Sequence, residues 1–312
     1  MRPLVRKVAV TLLAAAGATL LVTLFLDLVP GDPVEILLGE QAQRVDREEM
    51  LKAMWLDRPV PVQAWLFVSA LAQGELRSSL PPFRDRVMPR IWQALPHTAE
   101  LAGLAVLLAA LASLPLGIGS ALRVGRPLDR FASMLSVAGG SAPSFLVGHL
   151  LILLFAIRLG WLPLSGDDQR SSVLLPALTL ALGLSALLSR VTRVAMLEVL
   201  SEDYVLAARA RGLPARVVVL RHALRNALLP IITVMGLQLG AVLTGAIVVE
   251  KVFAWPGLGT LLLGGIEKRD YNLVRACVLV FTLTYLGINL LTDAAYALAD
   301  PRVRRRGDEA GA

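Results

Sequence analysis

Few side chains in this sequence could do chemistry, and they are far apart. The histidines His97, His149 and His222 form no His-Glu-x-x-His pair, and the single cysteine, Cys277, can build neither a thiolate metal site nor an internal disulfide. Of the lysines Lys7, Lys52, Lys251 and Lys268, none follows a glycine, so there is no Gly-Lys-Ser/Thr phosphate loop for ATP. No nucleophile stands beside a base, and no metal site is expected. What remains is a set of polar residues in apolar surroundings: His149, Gln238, Asn289 and Asp293. Asn289 and Asp293 are one helical turn apart and share a face. Each polar residue can bond a neighbouring helix or line a path, and His149 could also carry a proton. Such groups suit moving a solute rather than transforming it.

The elements that position these groups follow from composition. The chain has 312 residues, 56% hydrophobic and 18% charged, with mean hydropathy +0.66. A soluble domain is about 45–50% apolar and about 25% charged. Charge-free runs at 8–26, 101–122, 131–157, 171–189, 226–249 and 276–292 each approach the ~20 residues a helix needs to cross hydrocarbon. Backbone amides cannot stay unpaired in lipid, and runs without period-2 alternation favour helices over a barrel. The expected fold is therefore an all-α integral membrane protein with six transmembrane helices. A soluble enzyme, a nucleic-acid-binding domain and a disordered chain are excluded. The first run follows Arg2, Arg6 and Lys7 as a signal peptide would, but its length and the lack of an Ala-x-Ala site favour a retained span. Cys277 reads as a small apolar filler.

Charge orients the spans. With the N-terminus in the cytoplasm, the four inside segments hold 17 Lys/Arg against 7 Asp/Glu, and the three outside segments hold 13 against 14. The excess of basic residues within short loops places both termini inside. The pI of 10.2 then reports topology, and Arg302 to Arg306 read as an anchor rather than a nucleic-acid patch.

The expected organisation is a cytoplasmic N-terminus at 1–7, spans at 8–28, 98–122, 131–157, 172–197, 227–249 and 273–298, extracytoplasmic segments at 29–97 and 250–272, a cytoplasmic loop at 201–226 and a tail at 299–312. Pro59 to Gly74 is short and interrupted by prolines and glutamines, which suits a small external subdomain with short amphipathic helices. Pro115, Gly117, Gly139, Gly140, Pro143 and Gly148 predict bends and close helix approach. Val252 to Ile266, broken at Trp255-Pro256-Gly257, predicts a re-entrant or interfacial element. No internal repeat of the kind common in secondary carriers is apparent.

The inside loop from Glu202 to Pro230 predicts a helix, a sharp stop and a second helix. Ala207, Ala208 and Ala210 favour helix and leave a smooth face, Gly212 suits a left-handed cap, and Pro214 can open the next helix at its first position. A short helix of this kind can dock into a partner's groove or, as a basic amphipathic helix, rest on anionic headgroups.

This loop resembles the EAA signature of permease subunits of binding-protein-dependent ABC importers. The whole chain is similar to their peptide/nickel branch, in particular the first permease of dipeptide and oligopeptide systems. The resemblance runs from Pro30-Gly31-Asp32-Pro33 through Leu56-Asp57-Arg58-Pro59, Ser141-Ala142-Pro143-Ser144-Phe145, Leu159-Gly160-Trp161-Leu162-Pro163, Asp203-Tyr204-Val205, Arg221-His222-Ala223-Leu224-Arg225-Asn226 and Val249-Glu250-Lys251-Val252-Phe253-Ala254-Trp255-Pro256-Gly257-Leu258-Gly259 to Asp300-Pro301-Arg302. Two positions depart from the general motif. Leu206 stands where it has a glutamate, and Gly212 to Pro230 exceeds its glycine-to-proline spacing, as in the rest of this branch.

The resemblance implies a type I-like architecture in a bacterial or archaeal cytoplasmic (inner) membrane, with this chain as a non-catalytic permease subunit for di- or oligopeptides. Nickel, glutathione and oligosaccharides are carried by similar permeases. The implied partners are a homologous second permease, two ABC ATPase subunits that hold ATP and Mg, an extracytoplasmic substrate-binding protein and the lipid bilayer, with no nucleic acid and no cofactor in this chain. Asp203, Tyr204, Ala207, Ala208, Arg209, Arg211, Gly212, Pro214 and Arg216 would couple to the ATPase. Gln238, Asn289 and Asp293 are candidates for the path or for helix packing, and residues 28–99 with the Trp255 segment for docking the binding protein. The alternative is an ion-gradient-driven secondary transporter or channel acting through residues such as Asp293. A membrane-embedded enzyme lacks an assembled site.

Overall fold

A computed structural model describes residues 13–25, 48, 51–52, 54–80, 85–164, 166 and 170–299, with the side chains of Arg170 and of 293–299 excepted. The described residues are helical, and their one β feature is an isolated bridge between Arg77 and Arg86. The helices in chain order are α1 (Leu13–Phe25), α2 (Val60–Ala72), α3 (Val87–Leu122), α4 (Pro127–Ser141), α5 (Ser144–Arg158), α6 (Leu174–Leu200), α7 (Asp203–Ala210), α8 (Ala215–Val252), α9 (Leu258–Glu267) and α10 (Tyr271–Ala299).

Four of these regions, Val87–Leu122, Ser171–Leu200, Ala215–Val252 and Tyr271–Thr292, are long and apolar enough to cross a membrane. A fifth crossing is available if α4 and α5 form one broken span; they meet at 109°. Pro143 explains the break. It has no N–H to continue the α4 ladder, and it holds Ala142 in extended conformation at ψ 126°. The chain restarts as α5 with the Leu146 N–H donating to the Pro143 carbonyl at 3.0 Å. The expected first span, 8–28, lies partly outside the described residues, which cover α1 alone. Leu107, Leu111, Met134, Val137, Leu150 and Leu237 are exposed, as lipid-facing positions require.

The chain divides into two compact units, Met1–Thr98 with Pro256–Leu286 and Ala99–Trp255 with Gly287–Ala312. The first unit is organised by buried polar groups. Asp270 begins α10, where its carboxylate accepts from the Leu273 N–H at 3.3 Å, the Ser79 N–H at 2.8 Å and the Ser78 hydroxyl at 2.6 Å. Arg275, 1% exposed in α10, donates to the Gln63 carbonyl oxygen of α2 at 2.6 Å. A guanidinium at this depth needs such a partner. Thr98 accepts from the Leu258 N–H at 2.8 Å at the start of α9.

The second unit buries an apolar core drawn from α3 (Leu101, Ala105, Ala109), α6 (Ala177, Ala181, Leu188) and α8 (Val242, Ala246, Val249), closed by Phe253 and Trp255. Water does not drive helices together in lipid, so small residues that permit close contact decide where they cross. At Gly117 an added Cβ would lie 2.5 Å from the Thr192 Cβ and 2.7 Å from the Ser189 carbonyl oxygen. Gly236 stands closer still to the Thr292 side chain, whose Cγ2 would lie 1.9 Å from an added Cβ.

Candidate functional site

The segment between α6 and α8 holds the densest set of predicted site residues. Asp203 lies in the first turn of α7 and Arg209 in its last, each complementing the helix dipole. The helix then stops in a Schellman arrangement. Gly212 takes φ +76°, its N–H donates to the Arg209 carbonyl at 2.9 Å, and the Leu213 N–H donates to the Ala208 carbonyl at 3.4 Å. Leu213 precedes proline and cannot continue the helix. Pro214, expected at the first helical position, stands one residue earlier as the N-cap. Its ψ is 139°, and its carbonyl accepts from the Val217 and Val218 N–H groups at 2.9 and 3.1 Å.

The second half of the segment is not a separate helix. A π-helical stretch at Val218–Ala223 joins it to Leu224, so α8 runs unbroken for 38 residues from the turn to Val252. Interruptions of this type often mark functional regions of helices. Anything that displaces the Gly212 turn therefore acts directly on a span-length helix.

The phase of α7 divides its residues. Val205 and Ala208 face inward, 0% and 6% exposed, and pack with Val218 against Val199 and Leu200. Ala208 therefore belongs to the internal brace, not to the smooth outer face. Asp203, Ala207 and Ala210 lie along the exposed side, as do Leu206, Arg209, Arg211, Gly212, Pro214 and Arg216. Tyr204 is 42% exposed, and its hydroxyl accepts from the Asn226 amide of α8 at 2.6 Å. The result is a short, braced helix that presents small side chains, arginines and the exposed Leu206 and Leu213 outward. Chemically it can dock; it holds nothing that could cleave or transfer.

The other polar candidates do not gather with it. Gln238 lines a cavity of about 370 Å³ with Gly139, Ser144, Thr179, Gly183 and Gly245, beside the break between α4 and α5. Asn289 is partly buried in α10, and the side chain of Asp293 lies outside the described residues. His149 is exposed with Nδ1 2.7 Å from the Phe145 carbonyl oxygen, a contact within its own helix rather than between helices. No group of three or more His, Cys, Asp or Glu residues suited to a metal occurs among the described residues. Trp255 is 4% exposed within the second unit's core, so its ring offers no docking surface. The first unit carries a cleft of about 750 Å³ lined by Arg90, Gln93 and His97 and by Pro256, Gly257, Thr260 and Lys268 of the segment that follows Trp255. Sequence reasoning named both stretches as docking candidates but not the cleft they form, because residues near 90 and near 268 come together only in the fold.

Comparison with known proteins places this geometry. The profile of the family described as "Binding-protein-dependent transport system inner membrane component" matches residues 113–305. The chain is 42% identical over 292 residues to the glutathione transport system permease protein GsiC of Pectobacterium atrosepticum, covering 91% of this chain and 92% of that one. It is 40% identical over 295 residues to GsiC of Escherichia coli strain K12, covering 92% and 93%. Among solved structures, a chain of the inward-facing methionine ABC transporter MetNI aligns with TM-score 0.58 at 17% identity, covering 68% of this chain and 97% of that one. A chain of an amino acid ABC transporter aligns with TM-score 0.53 at 17% identity, covering 74% and 97%. The two structures share the fold.

Proposed function

This chain belongs to the binding-protein-dependent transport system inner membrane component family, the permease subunits of ABC importers, and from that membership we propose that it carries short peptides or peptide-like molecules and is driven through α7. ATPase subunits, a substrate-binding protein and a second permease go with this family, and ATP hydrolysis belongs to the ATPases. The finer composition is part of the proposal: one homologous permease completes the path, two ATPases holding ATP and Mg grip the loops below, and one binding protein docks outside, over the cleft of the first unit. Asp203, Tyr204, Ala207, Arg209, Arg211 and Arg216 meet the ATPase; Gly212, Pro214 and Ala208 keep α7 in place for that contact.

One observation carries this reading: a braced helix with an exposed outer face, ended by Gly212 and fused through its turn to the 38-residue α8. A ligand shifts an equilibrium only by binding one state more tightly than the other, so ATP must favour the state in which the ATPases close. A rigid lever between motor and span is the least that such coupling needs. The names of the relatives support the cargo, since glutathione is itself a tripeptide. The Gln238 cavity, beside the helix break, is the proposed place where cargo passes, because irregular backbone at membrane depth is tolerated where it lines a cavity.

The test is reconstitution of the chain with its sister permease, ATPases and binding protein in vesicles. Labelled di- and tripeptides, glutathione, nickel ion and an oligosaccharide are offered with and without ATP. Peptide or glutathione accumulation that requires ATP is expected. Uptake of nickel or sugar alone contradicts the cargo, and uptake without nucleotide contradicts the mechanism.

A further inference from the structure

A second polar cluster lies within the Ala99–Trp255 unit, away from α7. Asp129, in the first turn of α4, is 5% exposed. Its carboxylate accepts from the Ser120 hydroxyl near the end of α3, from the Gly125 N–H at 2.9 Å, and from Nε and Nη2 of Arg193 on α6 at 2.7 and 3.0 Å. Gly125 takes φ +75° in the turn between α3 and α4. Thus the end of one helix, the turn after it, the start of the next and a fourth element all converge on one side chain. The two-pronged guanidinium contact fixes orientation as well as distance.

The surroundings show what this pair does. α4 and α6 run antiparallel and touch where a Cβ on Gly139 would lie 3.0 Å from the Ala186 Cβ. Asp129 is about 15 Å further along α4, at 1.5 Å per residue. Beside it a cavity of about 410 Å³, lined by Ser133, Ser136, Ser189 and Arg190, opens along the seam between the two helices. At this end the ion pair is the polar tie between α4 and α6. Next to Arg193, Thr192 packs against Gly117 of α3, where an added Cβ would lie 2.5 Å from the Thr192 Cβ. The same α6 ends at Leu200, just before α7, and its Val199 and Leu200 pack on the inner face of α7.

We infer that Asp129 and Arg193 are positioning residues that make the α3–α4 hairpin move with α6 when α7 is displaced. The inference rests on the permease reading of α7 and adds the route by which its motion reaches helices beyond α6 and α8. Without the pair, apolar packing alone would link the hairpin to α6, and α4 would follow the motion of α6 and α8 less closely. ATP would then be hydrolysed with little cargo moved.

The experiment measures cargo accumulated per ATP hydrolysed in vesicles holding the whole assembly, for the native chain, Asp129→Asn and Arg193→Lys. The first substitution removes the charge and keeps one acceptor oxygen, which can serve the Gly125 N–H while the Ser120 hydroxyl turns to accept from the new amide, and the second keeps the positive charge without the two-pronged geometry. Both variants should assemble and hydrolyse ATP, while the ratio falls at least about fivefold, the lower end of ordinary coupling between sites. In the Asp129→Asn chain, Ser133→Cys and Ser189→Cys joined across the cavity by a short bis-thiol reagent should restore the ratio. An unchanged ratio overturns the inference, as does a proportional loss of uptake, hydrolysis and assembled complex, or a complete cross-link that restores nothing. Native vesicles that show no ATP-dependent uptake would sink the permease reading itself, before any variant is compared.

Discussion

The Asn226 side-chain amide donates to the Tyr204 hydroxyl at 2.6 Å and so ties the first turn of α7 to α8. Both residues are exposed, so the bond contributes at most about 1 kcal/mol net. Its consequence is local. Tyr204→Phe should leave folding intact and speed amide exchange in α7 by up to about fivefold, with α6 and α8 unchanged, read by hydrogen exchange of the purified complex.

Gly212→Val tests the turn. A β-branched residue at φ +76° costs roughly 1–2 kcal/mol, and the position is exposed, so membrane insertion should be normal. Uptake should fall at least tenfold while ATP hydrolysis continues; Gly212→Asn, whose residue tolerates this conformation, should be milder. Paired uptake and hydrolysis assays separate the two.

The crossing of α3 and α6 predicts a sharp contrast between two glycines of one helix. Gly117→Ala should destabilise the purified protein by about 1–3 kcal/mol through overpacking against Thr192 and the Ser189 carbonyl. Gly103→Ala meets nothing within 4 Å and should be neutral or stabilising by up to about 1 kcal/mol. Thermal unfolding in detergent measures both.

Asp270 holds the start of α10. Asp270→Ala would leave the buried Ser79 N–H and the Ser78 hydroxyl without this acceptor and remove the helix cap, at a cost of roughly 2–4 kcal/mol. Asp270→Asn, which keeps an oxygen in place, should recover part of that. The readout is again thermal stability, with yield of monodisperse protein as a second measure.

The parts of this fold that depend on local composition could be read from the residues in order. Apolar runs marked span-length helices, and the Ala207 to Pro214 stretch marked a helix stopped by glycine. Properties of phase and of distance could not be read that way. Ala208 looks like Ala207 in sequence, yet only the pitch of α7 and the position of Val218 decide that it faces inward. Pro143 announced a bend without its angle of 109°. Arg193 and Asp129 counted merely as opposite charges on one side of the membrane, because nothing local reports that residues 64 apart share hydrogen bonds. Gln63 spoke against a span at Pro59 to Gly74, while its pairing with Arg275 in α10 emerged only from the packing of the first unit.

The central claim, that the outer side of α7 is seated in an ATPase subunit, is tested most directly by single cysteines placed on its two faces. Ala207→Cys lies on the exposed side and Ala208→Cys on the inner one, and the native Cys277 is buried and far along the chain. In the assembled complex of the Ala207→Cys chain, a short thiol-directed cross-linker should join the new thiol to the ATPase in a yield that changes with bound nucleotide. The Ala208→Cys chain should stay unreacted. Equal labelling of the two variants, or no cross-link from the Ala207→Cys chain in any nucleotide state of an intact complex, would contradict the account.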